Sequence, residues 1–277
     1  MRRKTTAVRI GNVVLSSEEP VLVQSMLNTS TREVDACVEQ AIRIIEAGGR
    51  LVRITAPGVK EAEMLGEIHR RLRERGYTTP ISADIHFVAE AASVAARYVE
   101  KVRINPGNFA DKRATFKKLT YTDEEYAAEL EILRQKFTEF LEVCRQYGTA
   151  VRIGTNHGSL SDRIMSRYGD TPAGMVEATM EYLRVCPACD FKDVVISLKS
   201  SDCRTMVDAV RLLVEKMEAE GMCYPLHLGV TEAGEGEDGR IRSAVGIGTL
   251  LNEGIGDTIR VSLTEEPEAE IPVACEL

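Results

Sequence analysis

Short apolar runs alternate with stretches of helical periodicity along most of this chain. The helical stretches repeat apolar residues every three or four positions, as in Val34, Val38, Ile42 and Ile45. The other runs are rich in valine, isoleucine and leucine, as is typical of parallel strands buried on both faces. Eight such runs occur, at residues 21–26, 51–55, 81–85, 99–105, 150–155, 194–199, 226–230 and 258–263. Eight strand–helix repeats of about 30 residues predict a closed (β/α)8 TIM barrel rather than an open doubly wound sheet.

The first residues do not follow this alternation. Residues 7–15 alternate apolar and polar side chains, and turn-forming residues follow at 16–20. Alternation with a period of two predicts a strand with one buried face. We therefore expect residues 1–20 to form an N-terminal hairpin arm, outside the barrel strands.

Two further segments set the predicted domain boundaries. The connection after the fourth strand, 106–149, is overlong and contains a helical pattern at 123–147, which predicts an extended helical insertion without chemistry of its own. The segment 265–277 is acidic and contains prolines, so we interpret it as a linker that leads to a missing C-terminal part. The predicted barrel domain then spans residues 21–264.

Composition limits the class of protein. The chain has 277 residues, 44% hydrophobic and 28% charged, which is typical of a globular protein. Its formal net charge of −8 argues against nucleic-acid or membrane partners. No apolar run approaches the length of about 18 residues expected of a membrane span, and the N-terminus lacks the apolar core of an export signal. Seven scattered cysteines suit reduced thiols, so we expect a cytoplasmic protein.

Four of the predicted strands carry an arginine between β-branched residues. These are Arg53, Arg103, Arg152 and Arg260. Side chains alternate across a strand, so if the β-branched neighbours pack outward against helices, each arginine points into the space that the strands enclose. A fifth copy at Arg9, in the hairpin, shows that the tripeptide alone proves nothing, because an arginine on a half-exposed strand usually faces water.

Polar residues gather at the carboxyl ends of all eight predicted strands, where TIM barrels place their active sites. They are Gln24, Ser25, Arg53, Thr55, Asp84, His86, Arg103, Asn105, Arg152, Asn156, Ser197, Lys199, His227, Thr231, Glu232, Arg260 and Ser262. Five cations at one mouth would repel by several kcal/mol unless a ligand or carboxylates neutralise them. Guanidinium groups pair bidentately with phosphate, so the pattern predicts a site for a diphosphate or a similarly charged small molecule.

Acidic and imidazole side chains at the same strand ends leave alternatives open. Asp84 and Glu232 could transfer protons, although Asp84 could instead orient an arginine. His86 and His227 could join these carboxylates as ligands of a divalent ion. The surrounding cations make a metal electrostatically redundant, so we expect no metal site in this chain.

Cys186 and Cys189 form a Cys-x-x-Cys pair, the spacing used by zinc, iron–sulfur and redox dithiol sites. No second pair follows it in the sequence. The pair precedes the sixth predicted strand, at the face opposite the mouth. We interpret it as two reduced thiols in a turn.

The motifs at the strand ends, taken together, resemble the 4-hydroxy-3-methylbut-2-enyl diphosphate synthase family, iron–sulfur enzymes of the non-mevalonate isoprenoid pathway. The motifs are VQSM at 23, ADIHF at 83, VRINPGN at 102, VRIGTNHGSL at 151, VVISLKSSD at 194, LHLGVTEAG at 226 and GIGDTIRVSLT at 254. They span nearly the whole chain. The stretch TNHGSLSDRIMSRYGDTP at 155 is similar to the long form of the family, which carries an extra domain between the barrel and the cluster domain.

This resemblance implies an oxidoreductase that opens the ring of 2-C-methyl-D-erythritol 2,4-cyclodiphosphate reductively. Two electrons would pass from ferredoxin or flavodoxin through a [4Fe-4S] cluster, with Glu232 as the acid–base residue. The implied diphosphate ligands are Arg53, Arg103, Asn105, Arg152, Asn156, Lys199, Arg260 and Ser262. To these we add Asp84, His86 and Thr231 from the same strand ends as candidate substrate-binding residues.

The chain departs from the family after the barrel. The family holds its cluster in a separate domain, through three cysteines and a glutamate, and nothing after Ser262 resembles that domain. We do not assign the pair Cys186 and Cys189 as a substitute. We therefore expect this chain to bind the cyclic diphosphate, to hold no cofactor itself and to lack turnover alone. A homodimer remains an open alternative.

Two other functions are compatible with the sequence. Lys199, on the sixth predicted strand and surrounded by arginines, could be the Schiff-base lysine of a cofactor-free aldolase acting on a phosphorylated sugar. Alternatively, the barrel could bind a metabolite or a partner without catalysis.

Overall fold

The computed structural model describes residues 1–85, 88–111 and 120–277. Within these ranges, ten strands form two sheets. An antiparallel hairpin pairs β1 (Val8–Ile10) with β2 (Val13–Leu15). The parallel strands are β3 (Leu22–Met26), β4 (Leu51–Ala56), β5 (Ile81–Ile85), β6 (Lys101–Ile104), β7 (Ala150–Asn156), β8 (Val194–Lys199), β9 (His227–Leu228) and β10 (Thr258–Ile259).

The eight parallel strands close into a barrel. Hydrogen-bonded neighbours follow the order β8, β7, β6, β5, β4, β3, β10 and β9. A parallel bridge between Ile196 of β8 and Leu226, next to β9, completes the ring. The predicted (β/α)8 fold is confirmed, and all eight predicted strands are present, although β9 and β10 are shorter than the apolar runs that predicted them.

Helices cover the outside of the barrel, and within the described ranges there are ten α-helices and one 3-10 helix. The α-helices are α1 (Val34–Glu46), α2 (Val59–Glu74), α3 (Ala89–Ala95), α4 (Asp123–Tyr147), α5 (Asp162–Tyr168), α6 (Pro172–Leu183), α7 (Val185–Ala188), α8 (Cys203–Ala219), α9 (Gly236–Asn252) and α10 (Glu270–Glu276). Helix α4 is the predicted insertion. It begins at a capping box between Thr122 and Glu125 and ends at Gly148, whose φ is 67°. No helix in the described ranges is both long enough and apolar enough to cross a membrane.

The strands direct apolar side chains outward and polar side chains inward. Val52 and Ile54 of β4 are fully buried in the main apolar core, together with residues of the covering helices. Arg53 lies between them and therefore points the other way, into the barrel. The same alternation places Arg103 on β6 and Arg152 on β7 inside. In register, Arg103 is directly paired with Arg152.

The hairpin closes one end of the barrel with apolar side chains. Its buried residues form a second core cluster with the first inward positions of four strands. The cluster consists of Val8, Ile10, Val13, Leu15, Leu22, Leu51, Ala150 and Val195. Arg9, on the opposite face of β1, is exposed. The polar interior therefore has an apolar floor at the amino ends of the strands and faces their carboxyl ends.

Two sequence predictions about the termini need correction. The hairpin turn lies at Gly11 and Asn12, between β1 and β2, and residues 16–20 only lead into β3. Gly11 has a φ of 58°, a conformation that glycine adopts without strain.

The second correction concerns 265–277, which we interpreted as a linker. These residues form a 3-10 helix (Pro267–Ala269) and α10, and Ile271 and Ala274 are buried in the main core. Apolar positions on α10 that pack against the barrel explain why this acidic segment is ordered. It is part of the barrel's packing rather than a linker.

If the hairpin caps the barrel, two valines on its opposite faces should differ in their contribution to stability. Replacing Val8, which is fully buried, with alanine should lower the free energy of unfolding by about 2 kcal/mol, from lost methyl burial and a residual cavity. Val14→Ala, at the exposed face of β2, should change it by less than about 0.5 kcal/mol. Urea unfolding measures both values, and equal losses would show that the hairpin does not cap the barrel as described.

Candidate functional site

Six cationic side chains, on or directly after five of the strands, lie inside the barrel or at its mouth. They are Arg53, Lys101, Arg103, Arg152, Lys199 and Arg260. Arg152 is 1% exposed and Lys101 is fully buried, so water screens their charges little. The parallel register brings these positions to neighbouring levels, because Asp84 pairs with Arg103, and Asn156 pairs with Lys199. The predicted convergence of cations is therefore present.

One carboxylate holds two of these arginines. Asp84 of β5 is fully buried and accepts hydrogen bonds from Arg53 Nη2 and from Arg103 Nη1, the latter at 3.0 Å. Arg103 Nη2 also donates to the carbonyl oxygen of Gly154, at 2.7 Å. A Cβ atom at Gly154 would lie 2.5 Å from Arg103 Nε, so the glycine makes room for the guanidinium group. Both guanidinium planes are thereby fixed in the free protein.

Asp84 thus differs from what the sequence predicted. We considered it as a proton-transfer residue at the rim and as a substrate ligand. It lies instead below the rim, with no exposed surface, and each of its oxygens faces an arginine. A carboxylate between two guanidinium groups orients them, which is the alternative that the sequence left open.

A second carboxylate, Glu270 of α10, holds Arg260. Arg260 donates from Nη2 to Glu270 Oε1 at 2.9 Å and from Nε to Oε2 at 3.1 Å, a bidentate pair. Ser25 of β3 donates to the same carboxylate at 2.6 Å, and the backbone N–H of Leu263 donates to it at 3.1 Å. The sequence analysis did not identify Glu270, because it lies in the acidic segment after the barrel, where a glutamate is expected to face solvent.

Arg152 and Lys199 have no carboxylate partner within the described part of the chain. The Nε and Nη1 atoms of Arg152 are buried and make no hydrogen bond there. Lys199 is 5% exposed, and a Cβ atom at Gly229 would lie 2.8 Å from its Nζ. The glycine therefore lets the ammonium group lie against the backbone of the neighbouring strand. These two side chains carry uncompensated charge toward the interior.

Burial and mutual repulsion lower the pKa values of these groups. Burial lowers the pKa of Arg53 to about 10, in spite of Asp84, so this guanidinium stays charged at neutral pH. Burial and then the charge of Arg152 hold the pKa of Lys199 well below its usual value. The lysines are therefore the cations that can lose charge, because guanidinium starts from a much higher pKa.

The other predicted ligands lie around the cations with different exposures. Asn105 is buried, and its Oδ1 accepts from the N–H of Gly107 at 3.2 Å. Asn156, Thr231 and Ser262 are half-buried at the strand ends, where a ligand could reach them. His86 lies outside the described residues.

Glu232 is exposed and lies in an unusual backbone conformation. Its φ is 53°, in the left-handed region that residues with a Cβ atom rarely adopt. The preceding residue, Thr231, donates its backbone N–H to the carbonyl of Ser200 at 3.1 Å, which anchors the turn. Such strain is often retained at functional positions.

Of the residues considered as metal ligands, His227 and Glu232 lie in different surroundings, and His86 lies outside the described residues. His227 is buried, and its Nδ1 accepts a hydrogen bond from the side-chain amide of Gln24 at 2.6 Å. Glu232 is exposed at the mouth. Within the described ranges, no group of three or more His, Cys, Asp or Glu side chains could hold a metal ion.

The cysteine pair lies at the amino-terminal side of β8, in and after the short helix α7, as the sequence predicted. Cys186 is buried, which raises the pKa of its thiol to about 12, and Cys189 is half-buried. Both are free thiols. A thiol with a raised pKa is a poor ligand and a poor nucleophile.

A cleft of about 1080 Å³ opens beside the mouth, between the loop after β3 and the segment after β10. Arg260 and Glu270 form part of its wall, together with Thr31 and Arg32. It does not include Arg152 or Lys199. The cleft gives access to the rim of the cation cluster rather than to its centre, and no sequence pattern predicted it.

Comparisons with known proteins agree with this architecture. The chain is 64% identical over 276 residues to the 4-hydroxy-3-methylbut-2-en-1-yl diphosphate synthase (flavodoxin) of Parabacteroides distasonis, which covers 100% of this chain and 45% of that protein. It is 54% identical over 271 residues to the chloroplastic 4-hydroxy-3-methylbut-2-en-1-yl diphosphate synthase (ferredoxin) of Arabidopsis thaliana, covering 98% of this chain and 37% of that protein. The chain thus spans less than half the length of these relatives.

Solved structures show the same fold at low identity. A dihydropteroate synthase of Yersinia pestis superposes with a TM-score of 0.58 at 13% identity, covering 98% of this chain and 97% of that one. An N-acetylneuraminic acid synthetase of Leptospira borgpetersenii superposes with a TM-score of 0.59 at 9% identity, covering 100% of this chain and 89% of that one. These likenesses concern the barrel alone.

A family model provides the most specific match, and it extends through α10. Residues 5–275 match the model described as the GcpE TIM-barrel domain. The match includes the hairpin, all eight barrel strands and the C-terminal helix that carries Glu270. The chain belongs to the GcpE TIM-barrel domain family.

Proposed function

We propose that this chain is the substrate-binding barrel of a 4-hydroxy-3-methylbut-2-en-1-yl diphosphate synthase and that it binds 2-C-methyl-D-erythritol 2,4-cyclodiphosphate. The observation that carries the proposal is the excess of buried cations over carboxylates in the described interior. Asp84 and Glu270 hold three arginines, and within the described ranges Arg152 and Lys199 have no carboxylate partner. A dianionic ligand would supply the missing charge.

The cations would contribute to ligand binding in different ways. Arg152 and Lys199 are the cations without a carboxylate partner in the described ranges, and Arg53 and Arg103 supply donors in fixed orientations. The half-buried polar groups of Asn156, Thr231 and Ser262, with Asn105 behind them, can complete the hydrogen bonds to phosphate oxygens. Asp84 contacts the arginines rather than the ligand. His86 stays a candidate ligand from the sequence alone.

Glu232 is the proton donor that we propose. Reductive opening of the cyclic diphosphate breaks a ring C–O bond and expels a hydroxyl group, which leaves as water only if it gains a proton. Glu232 follows β9 at the mouth and is exposed, so its carboxyl group can reach a ligand held by the cations. Its backbone φ of 53° marks a strained turn, of the kind often retained at functional positions.

The electrons must come from outside the described residues. A [4Fe-4S] cluster needs several thiolate ligands, and the free cysteines here are scattered and do not form a ligand group in the described ranges. The residues present do not fit the cluster. We propose that another part of a longer cytoplasmic protein holds it and receives electrons from flavodoxin or ferredoxin, the donors in the relatives' names. This chain alone then binds substrate without turnover.

A Schiff-base aldolase is the second candidate, and one observation favours it. The pKa of Lys199 is held well below its usual value, as a nucleophilic amine requires. The arginines around Lys199 would serve either function. The relatives are named for the synthase, which makes the aldolase the weaker proposal.

The first prediction compares two arginines in the same Val-Arg-Ile tripeptide. Arg152→Ala should weaken binding of the cyclic diphosphate by about 2 to 5 kcal/mol, because it removes a buried, unpaired guanidinium. Arg9→Ala, in Val8-Arg9-Ile10 on the exposed face of the hairpin, should leave the affinity unchanged. Calorimetry on this chain measures both, and undiminished binding by Arg152→Ala would contradict the site.

The second prediction concerns proton transfer in the longer protein that contains this barrel. Glu232→Gln should lower kcat by about 10²- to 10⁴-fold, because glutamine keeps the shape of the side chain but cannot donate the proton. The dissociation constant of the cyclic diphosphate should change little. A variant with normal kcat would remove Glu232 from the chemistry, and a variant that loses binding would make it a ligand instead.

The third prediction separates the synthase from the aldolase. Borohydride added to this chain with phosphorylated aldoses or ketoses should leave the mass of Lys199 unchanged, since the synthase forms no imine. Peptide mass spectrometry detects any reduced adduct. A substrate-dependent adduct on Lys199 would promote the aldolase.

A further inference from the structure

Lys101, at the start of β6, is a buried cation to which nothing above assigns a role. Its side chain has no exposed surface, and its Nζ makes no hydrogen bond within the described part of the chain. It precedes Arg103 by two positions, so both side chains point into the barrel, with Lys101 one level deeper. Lys101 therefore lies beneath the proposed ligand site rather than in it.

The surroundings of Lys101 offer little compensation for a positive charge. The charged and titratable side chains of the neighbouring inward positions are Arg53, Asp84, Arg103, Arg152, Lys199, His227 and Arg260. Asp84, the carboxylate among them, already accepts from two arginines. The residue paired with Lys101 in register on β5 is Ser82, whose Oγ is also buried without a hydrogen bond in the described ranges.

A proton can leave this cluster from few groups. Guanidinium keeps its proton at neutral pH, so the arginines stay charged. The repulsion between cations can therefore be relieved only where a lysine loses its proton. Burial, followed by the charges of Arg152 and Arg53, holds the pKa of Lys101 well below its usual value. His227 is also buried beside the cations, and its pKa is lowered too, so its ring is neutral. Its Nδ1 accepts from the Gln24 amide, so protonation there would break that bond.

We propose that the Lys101 side chain is a neutral amine in the free protein and that it gains a proton when a phosphorylated anion enters the barrel above it. The anion offsets the repulsion from Arg152 and Arg53, which makes the ammonium form of Lys101 favourable again. No bond to the ligand is needed, since the charges act across one level of the barrel. Lys101 then adjusts the charge of the pocket to that of the ligand. The inference deepens the proposed function and rests on it.

The direction of the pH dependence follows from linkage. If the ligand raises the pKa of Lys101, binding takes up a proton at any pH between the values in the free and the bound protein. Affinity is then highest below the pKa of the free form, falls between the two pKa values by up to about tenfold per pH unit for one coupled proton, and levels off above the pKa of the bound form. Lys199 contributes in the same direction, so the share of Lys101 must be measured by difference.

Sulfate is a suitable probe, because it stays fully ionised near neutral pH, so any proton taken up on binding goes to the protein and not to the ligand. The cyclic diphosphate serves equally, since each of its phosphorus atoms carries a single strongly acidic hydroxyl. Calorimetry of either anion in two buffers that differ in ionisation enthalpy gives the number of protons taken up. We expect net uptake of protons by the unmodified chain when either anion binds.

Lys101→Met should remove a measurable part of this uptake and flatten the fall of affinity with pH. Lys192→Met, at a lysine whose side chain is 81% exposed, should change neither. Lys199→Met should weaken binding itself, which distinguishes a ligand from a residue that acts at a distance. Thermal unfolding checks that each variant folds, and Lys101→Gln replaces the methionine variant if that one does not.

The outcomes separate this inference from the function on which it rests. Binding without proton uptake in the unmodified chain, or with equal uptake in Lys101→Met, overturns the inference and leaves the proposed function standing. If neither sulfate nor the cyclic diphosphate binds, both the inference about Lys101 and the proposed function are contradicted. Uptake that is lost in Lys101→Met and kept in Lys192→Met supports both.

Discussion

Unbalanced positive charge inside a closed barrel is the constraint on which the rest of this structure depends. In the described interior, the cations exceed the two carboxylates that contact them, and several are almost completely shielded from water. Placing unpaired charge in such surroundings costs several kcal/mol per ion, even after relaxation. The fold must therefore be stable enough elsewhere to tolerate the cost. An interior that stays charged without its ligand is tuned for anion binding rather than for stability.

The scaffold tolerates this charge because the apolar packing lies on the other side of the strands. Valine and isoleucine residues that flank each arginine pack against the helices, so the strands are fixed from outside. The hairpin adds an apolar floor, through residues such as Ile10 and Leu15, at the amino ends of the strands. Charge therefore accumulates toward the carboxyl ends. The open end is also where the strained turn at Glu232 lies.

The fold was predictable because its signal is repeated. Eight apolar runs with intervening helical periodicity specify a barrel, and an error in one boundary, such as the shortness of β10, does not change the result. The termini were harder. Turn-forming residues at 16–20 outweighed Gly11 and Asn12, although the tight turn at Gly11 matches the twist of the hairpin better. The acidic composition of 265–277 concealed the few apolar positions that bind α10 to the barrel.

The candidate site was predictable where strand alternation determines the direction of a side chain, as for Arg53, Arg103 and Arg152. Alternation cannot tell how two inward side chains share a partner. It did not reveal that Asp84 contacts two arginines, or that Glu270, ten residues after Arg260, returns to pair with it. Lys101 escaped notice for a related reason. A lysine at the first position of a strand is expected to face solvent. Lys101 is buried only because the hairpin closes the barrel beneath it.

The two carboxylates divide the cations into groups with different physical roles. Arginines held by Asp84 or Glu270 have fixed directions, but part of their charge is already neutralised. They therefore contribute more to orienting a ligand than to attracting it. Arg152, whose buried Nε and Nη1 make no hydrogen bond in the described ranges, has no carboxylate there to offset its attraction for an anion. A site with only paired arginines would bind a phosphate weakly, and one with only unpaired cations would hold it without orientation. Both kinds are needed to bind a small dianion tightly in one pose.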